Sequence, residues 1–243
     1  VGSAGVWACV GIGYNALTSV NNAGAAGSTA IGYRALTTLT SGAGNTAVGF
    51  ESLKSENDGS RNTAIGYKAL TALNTSAGNG QTTAVGFEAG MDASTGINNT
   101  FVGSRAGNQG TNDITTGDNN TLIGMEARAS AAGAANQTVI GASAVGQADN
   151  SVTLGNADTT AVYMAQDSGA TVYAGVISGS ELRSSGDVIA FYTSDERLKD
   201  NIKIIKEPIE KIKQLRGVEY QWNEKQNTYP TGSLDSGIIA QDV

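Results

Sequence analysis

Along the first two thirds of the chain, apolar positions come in short alternating bursts rather than long runs. In the segment Asn-Thr-Ala-Ile-Gly-Tyr at residues 62–67, Thr63, Ile65 and Tyr67 share one face of an extended strand. The opposite face carries Asn62, Ala64 and Gly66, all small or polar. The larger face can fill the inside of a coil, and the smaller one lets another backbone come close. The pattern leaves open which of the two looks inward. The burst returns as Asn-Thr-Ala-Val-Gly at 45–49, Thr-Thr-Ala-Val-Gly at 82–86 and Asn-Thr-Phe-Val-Gly at 99–103. Further copies are Asn-Thr-Leu-Ile-Gly at 120–124 and Gln-Thr-Val-Ile-Gly at 137–141, with others ending at Gly13, Gly32 and Gly155.

The closing glycines are spaced 19, 17, 17, 20, 17, 21, 17 and 14 residues apart. A constant phrase with variable spacing predicts a solenoid whose strand is the phrase and whose loops absorb insertions. A second unit follows several phrases: Tyr-Asn-Ala-Leu at 14–17, Tyr-Arg-Ala-Leu at 33–36 and Tyr-Lys-Ala-Leu at 67–70. Its variable polar position is expected at solvent, and its Ala and Leu are expected to turn inward. The segments at 55–60, 74–80 and 108–118 are rich in Gly, Asn, Ser, Thr and Asp and read as turns. Asn45, Asn62, Asn99 and Asn120 open successive phrases, so stacked coils would place them in a hydrogen-bonding ladder.

The repeat fades near Asp158. Short strands are expected at 171–177 and 187–192, forming a neck. Residues 191–243 then hold 8 of the 15 Lys and Arg, both Pro and only 3 Gly. Ser194 can cap a helix over 194–201, with Asp195 and Glu196 in its first turn. Pro208 suits the start of a helix over 209–215, closed by Gly217. Val218, Tyr220 and Trp222 alternate as in a strand, and residues 237–243 read as another. The expected architecture is mainly β. Residues 1–157 form a β-roll shaft, 158–190 a β neck, and 191–243 a small α+β unit.

Composition narrows the function. The 243 residues include 33 Gly, 15% charged residues and 6% aromatics. A disordered chain would carry more charge or Pro, whereas thin stacked coils suit abundant Gly. One such coil buries little, so oligomerisation is expected to supply further core. A net charge of −7 argues against a nucleic-acid partner, and the absence of His removes the commonest metal ligand and proton carrier. The single Cys9 reads as a small buried residue. No cofactor or metal is expected. No apolar run approaches the roughly 18 residues of a membrane span, and no signal peptide is visible. The apolar ends at Val1 and Val243 read as those of a fragment.

Two resemblances sharpen this. The Asn-Thr-Ala-Ile/Val-Gly phrases over residues 1–157 resemble the head of trimeric autotransporter adhesins, a left-handed parallel β-roll. The spacing here is mostly longer, which implies larger loops. The segment Ser-Asp-Glu-Arg-Leu-Lys-Asp-Asn-Ile at 194–202 looks like the intramolecular chaperone of phage tail spikes and fibres, the peptidase S74 family. Gly-Val-Glu-Tyr-Gln-Trp at 217–222 and Gly-Ile-Ile-Ala-Gln-Asp-Val at 237–243 support it. This resemblance implies a homotrimer and a chaperone that folds the fibre and then cuts itself free between Ser194 and Asp195. It implies Ser194 as nucleophile, Lys199 as general base and Arg197 in support. It also implies that residues 191–243 are the N-terminal part of that domain. From the residues alone, Ser194 caps a helix and Lys199 lies on its solvated face. The dyad requires a lysine amine that is neutral often enough to take the hydroxyl proton.

The function expected is a fibre or host-attachment protein of a phage or phage-like particle, located in the virion tail, with an unidentified surface receptor as partner. A bacterial trimeric adhesin head is the alternative, although it calls for a stalk and a membrane barrel after the head. A polysaccharide-degrading spike is a second alternative. It needs paired carboxylates, and nothing in the sequence pairs Glu51, Glu88, Asp92 or Glu126.

Overall fold

Each repeated phrase forms one short strand, and the strands stack in chain order into a parallel sheet. In the computed structural model these are β1 (Val10–Ile12), β2 (Thr29–Ile31), β3 (Thr46–Val48), β4 (Thr63–Ile65), β5 (Thr83–Val85), β6 (Thr100–Val102), β7 (Thr121–Ile123), β8 (Gln137–Ile140) and β9 (Ser151–Leu154). The register never slips: Thr46 lies opposite Thr63, Ala47 opposite Ala64, and Val48 opposite Ile65. The chain is therefore mostly β, a parallel solenoid followed by a small C-terminal unit with very little helix. It divides into Val1–Thr171 and Val172–Val243. The structure describes residues 8–20, 25–75, 80–165, 174, 201–204, 206–221, 232 and 234–238. The strands expected at 171–177 and 187–192 and the helix expected at 194–201 lie mainly outside these residues.

The glycine that closes the phrase is fixed by two constraints at once. From Gly13 to Gly141 these glycines have φ between +127° and +145°, a region that L side chains rarely adopt. A Cβ on Gly66 would also sit 2.7 Å from the carbonyl carbon of Gly86 in the next coil. The backbones pass too close for any side chain. The chain then turns through left-handed corners: Arg34 and Leu36 have φ of 56° and 48°, and Lys68 and Leu70 have 53° and 52°. Each such non-glycine corner costs about 1–2 kcal/mol, and bonds to a neighbouring coil hold it. The Glu51 N–H, for example, donates to Tyr33 O at 2.8 Å, and Lys68 N–H to Phe50 O at 2.8 Å.

These corners decide which strand face looks inward. Ala30, Ala47, Ala64 and Ala84 point into the roll, where Leu36, Leu53 and Leu70 meet them from the turn; all are fully buried. The small face is thus the inner one, and Ile65 and Tyr67 face out, each 40% exposed. The Ala and Leu of the Tyr-x-Ala-Leu unit turn inward as expected.

The asparagine ladder is present and buried. Asn45 Oδ1 accepts the Asn62 N–H at 2.9 Å, and its Nδ2 donates to Gly59 O at 2.8 Å. Asn99 Oδ1 accepts the Asn120 N–H at 2.9 Å, and Asn120 Oδ1 accepts the Gln137 N–H at 3.0 Å. Each amide satisfies backbone groups that a three-residue strand leaves unpaired.

The second unit contains α1 (Pro208–Lys213) and an antiparallel pair, β10 (Gly217–Gln221) with β11 (Leu234–Ile238). The helix begins at the proline, as expected, and ends two residues before the predicted stop, where Gln214 caps it. The last strand runs 234–238 rather than 237–243. None of this unit's described residues is buried; Ile209 and Ile212 are each 65% exposed.

The glycine constraint makes a quantitative prediction. Gly66→Ala should destabilise the shaft by about 3 kcal/mol or more. Gly44→Ala should cost about 1 kcal/mol, because Gly44 has φ of +68° but open space around its Cβ position. Thermal unfolding of the two variants checks the difference.

Candidate functional site

The alternation that turns Ala64 inward turns three columns of larger side chains outward. The first is an unbroken run of threonines in register from Thr29 to Thr138, opening β2 to β7 and second in β8. The second is Ile or Val: Ile31, Ile65, Val85, Val102, Ile123 and Ile140 are 36–41% exposed. The third is aromatic. Tyr14, Tyr33, Phe50, Tyr67 and Phe87 stack one above another, with ring centroids 5.1–5.5 Å apart and planes within 13° of parallel. Coil spacing of about 4.8 Å fixes this stacking. The column ends at Ser104 and is followed by Met125, 52% exposed.

A column of alternating charge flanks this outward-facing strip, built from the left-handed corner residues Arg34, Glu51, Lys68, Glu88, Arg105 and Glu126. Arg34 lies 3.6 Å from Glu51, which also meets Lys54 at 3.0 Å. Arg105 bridges Glu88 at 3.1 Å and Glu126 at 4.0 Å. Lys68 and Arg105 also lie over the Tyr67 and Phe87 rings, at 5.4 and 5.8 Å. Three of the acids that the sequence leaves unpaired are therefore held by cations of the same or neighbouring coils. Exposed pairs of this kind contribute about 0–1 kcal/mol each.

The structure also joins Asp92 to Asp113, which is 21 residues away across an insertion. Burial, and then the nearby Asp92 carboxylate, raise the Asp113 carboxyl above its usual range, while the Gln109 N–H that it accepts pulls it back. No spacing rule in the sequence announces this pair.

A second unannounced group is Glu56, fully buried at the place in its coil where neighbouring coils carry Leu39 and Leu73. Its carboxylate accepts the N–H of Asn57 at 3.1 Å, of Gly59 at 2.8 Å and of Thr75 at 3.2 Å. It also accepts the Thr75 hydroxyl at 3.0 Å and the Asn62 amide at 3.3 Å. Burial pushes this carboxyl above the usual range, and the donors from Gly59, Thr75 and Asn57 pull it part of the way back.

Ser194, Asp195, Arg197 and Lys199 lie outside the described residues. Among the described residues, no three His, Cys, Asp or Glu side chains gather as metal ligands, and no helix is long and apolar enough to cross a membrane.

Fold and surface together define a parallel β-solenoid shaft with an apolar outer strip, followed by a small separate unit. Comparison with protein families places that unit: residues 194–243 match Peptidase_S74, the chaperone of endosialidase. No curated protein and no solved structure matches the chain.

Glu56 supplies a pH prediction. Its folded-state pKa is raised, so its stabilising contribution is complete below the unfolded-state value and is lost as pH rises through the folded-state value. Wild type should therefore gain stability relative to Glu56→Gln as pH falls from 7 toward the ordinary carboxylate range. Paired thermal melts across that range measure the gain; a flat difference contradicts it.

Proposed function

We propose that the chain is a homotrimeric fibre segment of a phage or phage-like particle. The solenoid serves as a stiff shaft for host attachment, and the C-terminal unit as a chaperone that brings three copies together. The observation that carries this reading is an uncovered apolar strip along a solenoid whose chain continues into a chaperone-family match.

The strip alone is smaller than a standard interface. Three alternate positions along a strand span about 13 Å, and nine strands stack to about 40 Å. The strip therefore covers roughly 500 Å², below the roughly 800 Å² per partner of a standard stable interface. Three weak receptor sites on one rod would also act with avidity.

In the same reading the chaperone releases itself. Lys199, as a neutral amine, takes the Ser194 hydroxyl proton as the oxygen attacks the carbonyl of a Ser194–Asp195 bond; the proton passes to the leaving Asp195 amine, and water then hydrolyses the ester, with Arg197 helping to hold the site. A hydroxyl attacking the carbonyl of its own residue would close a strained four-membered ring. The reading therefore gives the attacking Ser194 and the bond it cuts to different copies, which ties cleavage to assembly.

Two measurements test these parts separately. Ile65→Glu with Val85→Glu should lower the solution mass from three chains to one while leaving the coil spectrum intact. A monomeric wild type overturns the trimer. For cleavage, the full-length protein should yield a fragment beginning at Asp195, and Ser194→Ala alone should yield none. Co-expressed with wild type, the Ser194→Ala chain should be cut; if it stays whole in mixed trimers, attack between copies is wrong.

A further inference from the structure

A solenoid of near-identical coils has an ambiguity that a globular core does not. Strands β2 to β5 read Thr-Ala-Ile, Thr-Ala-Val, Thr-Ala-Ile and Thr-Ala-Val, and their turns repeat Leu36, Leu53 and Leu70. If one coil looped out, its neighbours could close the gap with Ala over Ala, Leu over Leu and Gly over Gly. Extruding a single coil costs little loop entropy, because that cost grows only logarithmically with length. Pattern alone therefore does not make the order of these coils unique.

The sixth coil breaks the pattern in a coordinated way. Where earlier strands place Ala64 and Ala84 inside, β6 places Phe101, fully buried. Where earlier turns place Leu70, the flanking turns have Gly90 and Gly107. A Cβ on Gly90 would lie 2.6 Å from Phe101 Cδ2, and one on Gly107 would lie 2.5 Å from Phe101 Cδ1. The ring thus fills the space that two leucine side chains occupy in other coils, one on each side of it. At Gly90 backbone conformation does not require the exchange, because its φ of 56° is close to the 52° of Leu70; Gly107 lies further into the same left-handed region at 72°.

We propose that Phe101, Gly90 and Gly107 form a register lock, a non-repeating element that makes the correct order of the coils around β5 and β6 the only well-packed one there. If coils slip by one, the ring meets Leu70 instead of Gly90, or Gly90 meets the smaller Leu122 of β7 and leaves a void. Either outcome spoils close packing in an interior that tolerates neither. The lock acts within one chain and does not depend on how many copies assemble.

The test separates order from stability. The triple substitution Phe101→Ala, Gly90→Leu and Gly107→Leu restores the pattern of the preceding coils. Thr63→Cys and Thr100→Cys, with Cys9→Ala, report slippage. These positions are two coils apart, about 9.6 Å, beyond disulfide reach, and become neighbours only if the intervening coil is skipped. The full chain is unfolded and refolded under oxidising conditions, and intrachain disulfide is read by mass. The triple variant should fold with a similar thermal midpoint and form severalfold more of this disulfide than the same reporter chain with Phe101, Gly90 and Gly107 intact. Equal disulfide in the two chains overturns the proposal. So does a triple variant that fails to fold, because the lock requires the repeated leucine packing to be acceptable at these positions.

Discussion

The shaft depends on one close approach: the backbone of each coil passes the next at the glycine that closes the phrase. At Gly66 there is no room for a Cβ against Gly86, and the φ of +141° excludes other residues independently. That approach sets how narrow the coil is. A narrow coil has space inside for Ala64, Leu70 and Leu73, so the remaining large side chains of the strand must face outward. The uncovered Ile, Val and aromatic strip follows directly from the glycine column.

The same geometry explains how the shaft holds charge and polarity. Every coil carries left-handed corners, and short strands leave backbone groups unpaired. Buried Asn45, Asn62, Asn99 and Asn120 satisfy those groups from inside. Outside, the corner after each phrase projects a charge whose sign alternates from Arg34 to Glu126. Like charges stacked about 4.8 Å apart would repel along the whole rod, whereas alternation neutralises them coil by coil. Glu56 is the costlier case. It gives up the apolar burial of its Leu39 and Leu73 neighbours in exchange for holding a corner, a ladder amide and the start of the next loop.

Much of this is legible in the residues. The phrase predicts the strand, its spacing predicts the loops, and asparagine at the head of the phrase predicts the ladder. The inward Ala and Leu of Tyr-x-Ala-Leu follow from the same repetition. The inner face was not legible, because alternation separates Thr63, Ile65 and Tyr67 from Asn62, Ala64 and Gly66 without saying how tightly the chain turns. Left-handed φ at Lys68 and Leu70 settles that, and neither residue type advertises it. Asp92 and Asp113 could not be paired by eye across an insertion of irregular length. The exchange of Phe101 for alanine and of Gly90 and Gly107 for leucine was visible as departures from the repeat. Its meaning needed the contact between them. Ser194 and Lys199 rest on their motif, since the described residues do not include them.

The two units divide the physical work unequally. In the shaft, each coil is bonded to the coils before and after it, so its order is written by neighbours and a locally correct start can propagate. The described part of the C-terminal unit offers no comparable core: Ile202, Ile204, Ile209 and Ile212 are all more than half exposed. A segment that leaves this much apolar surface uncovered gains by contact with something else. The shaft's strip has the same property but a different limitation. Its Ile and Val column repeats coil by coil beyond the end of the aromatic column at Phe87, so contact through that column alone sets no stopping point for one strip sliding along another. In the proposed trimer, the chaperone-family match that follows the repeat in the chain would be the element that sets the copies in register.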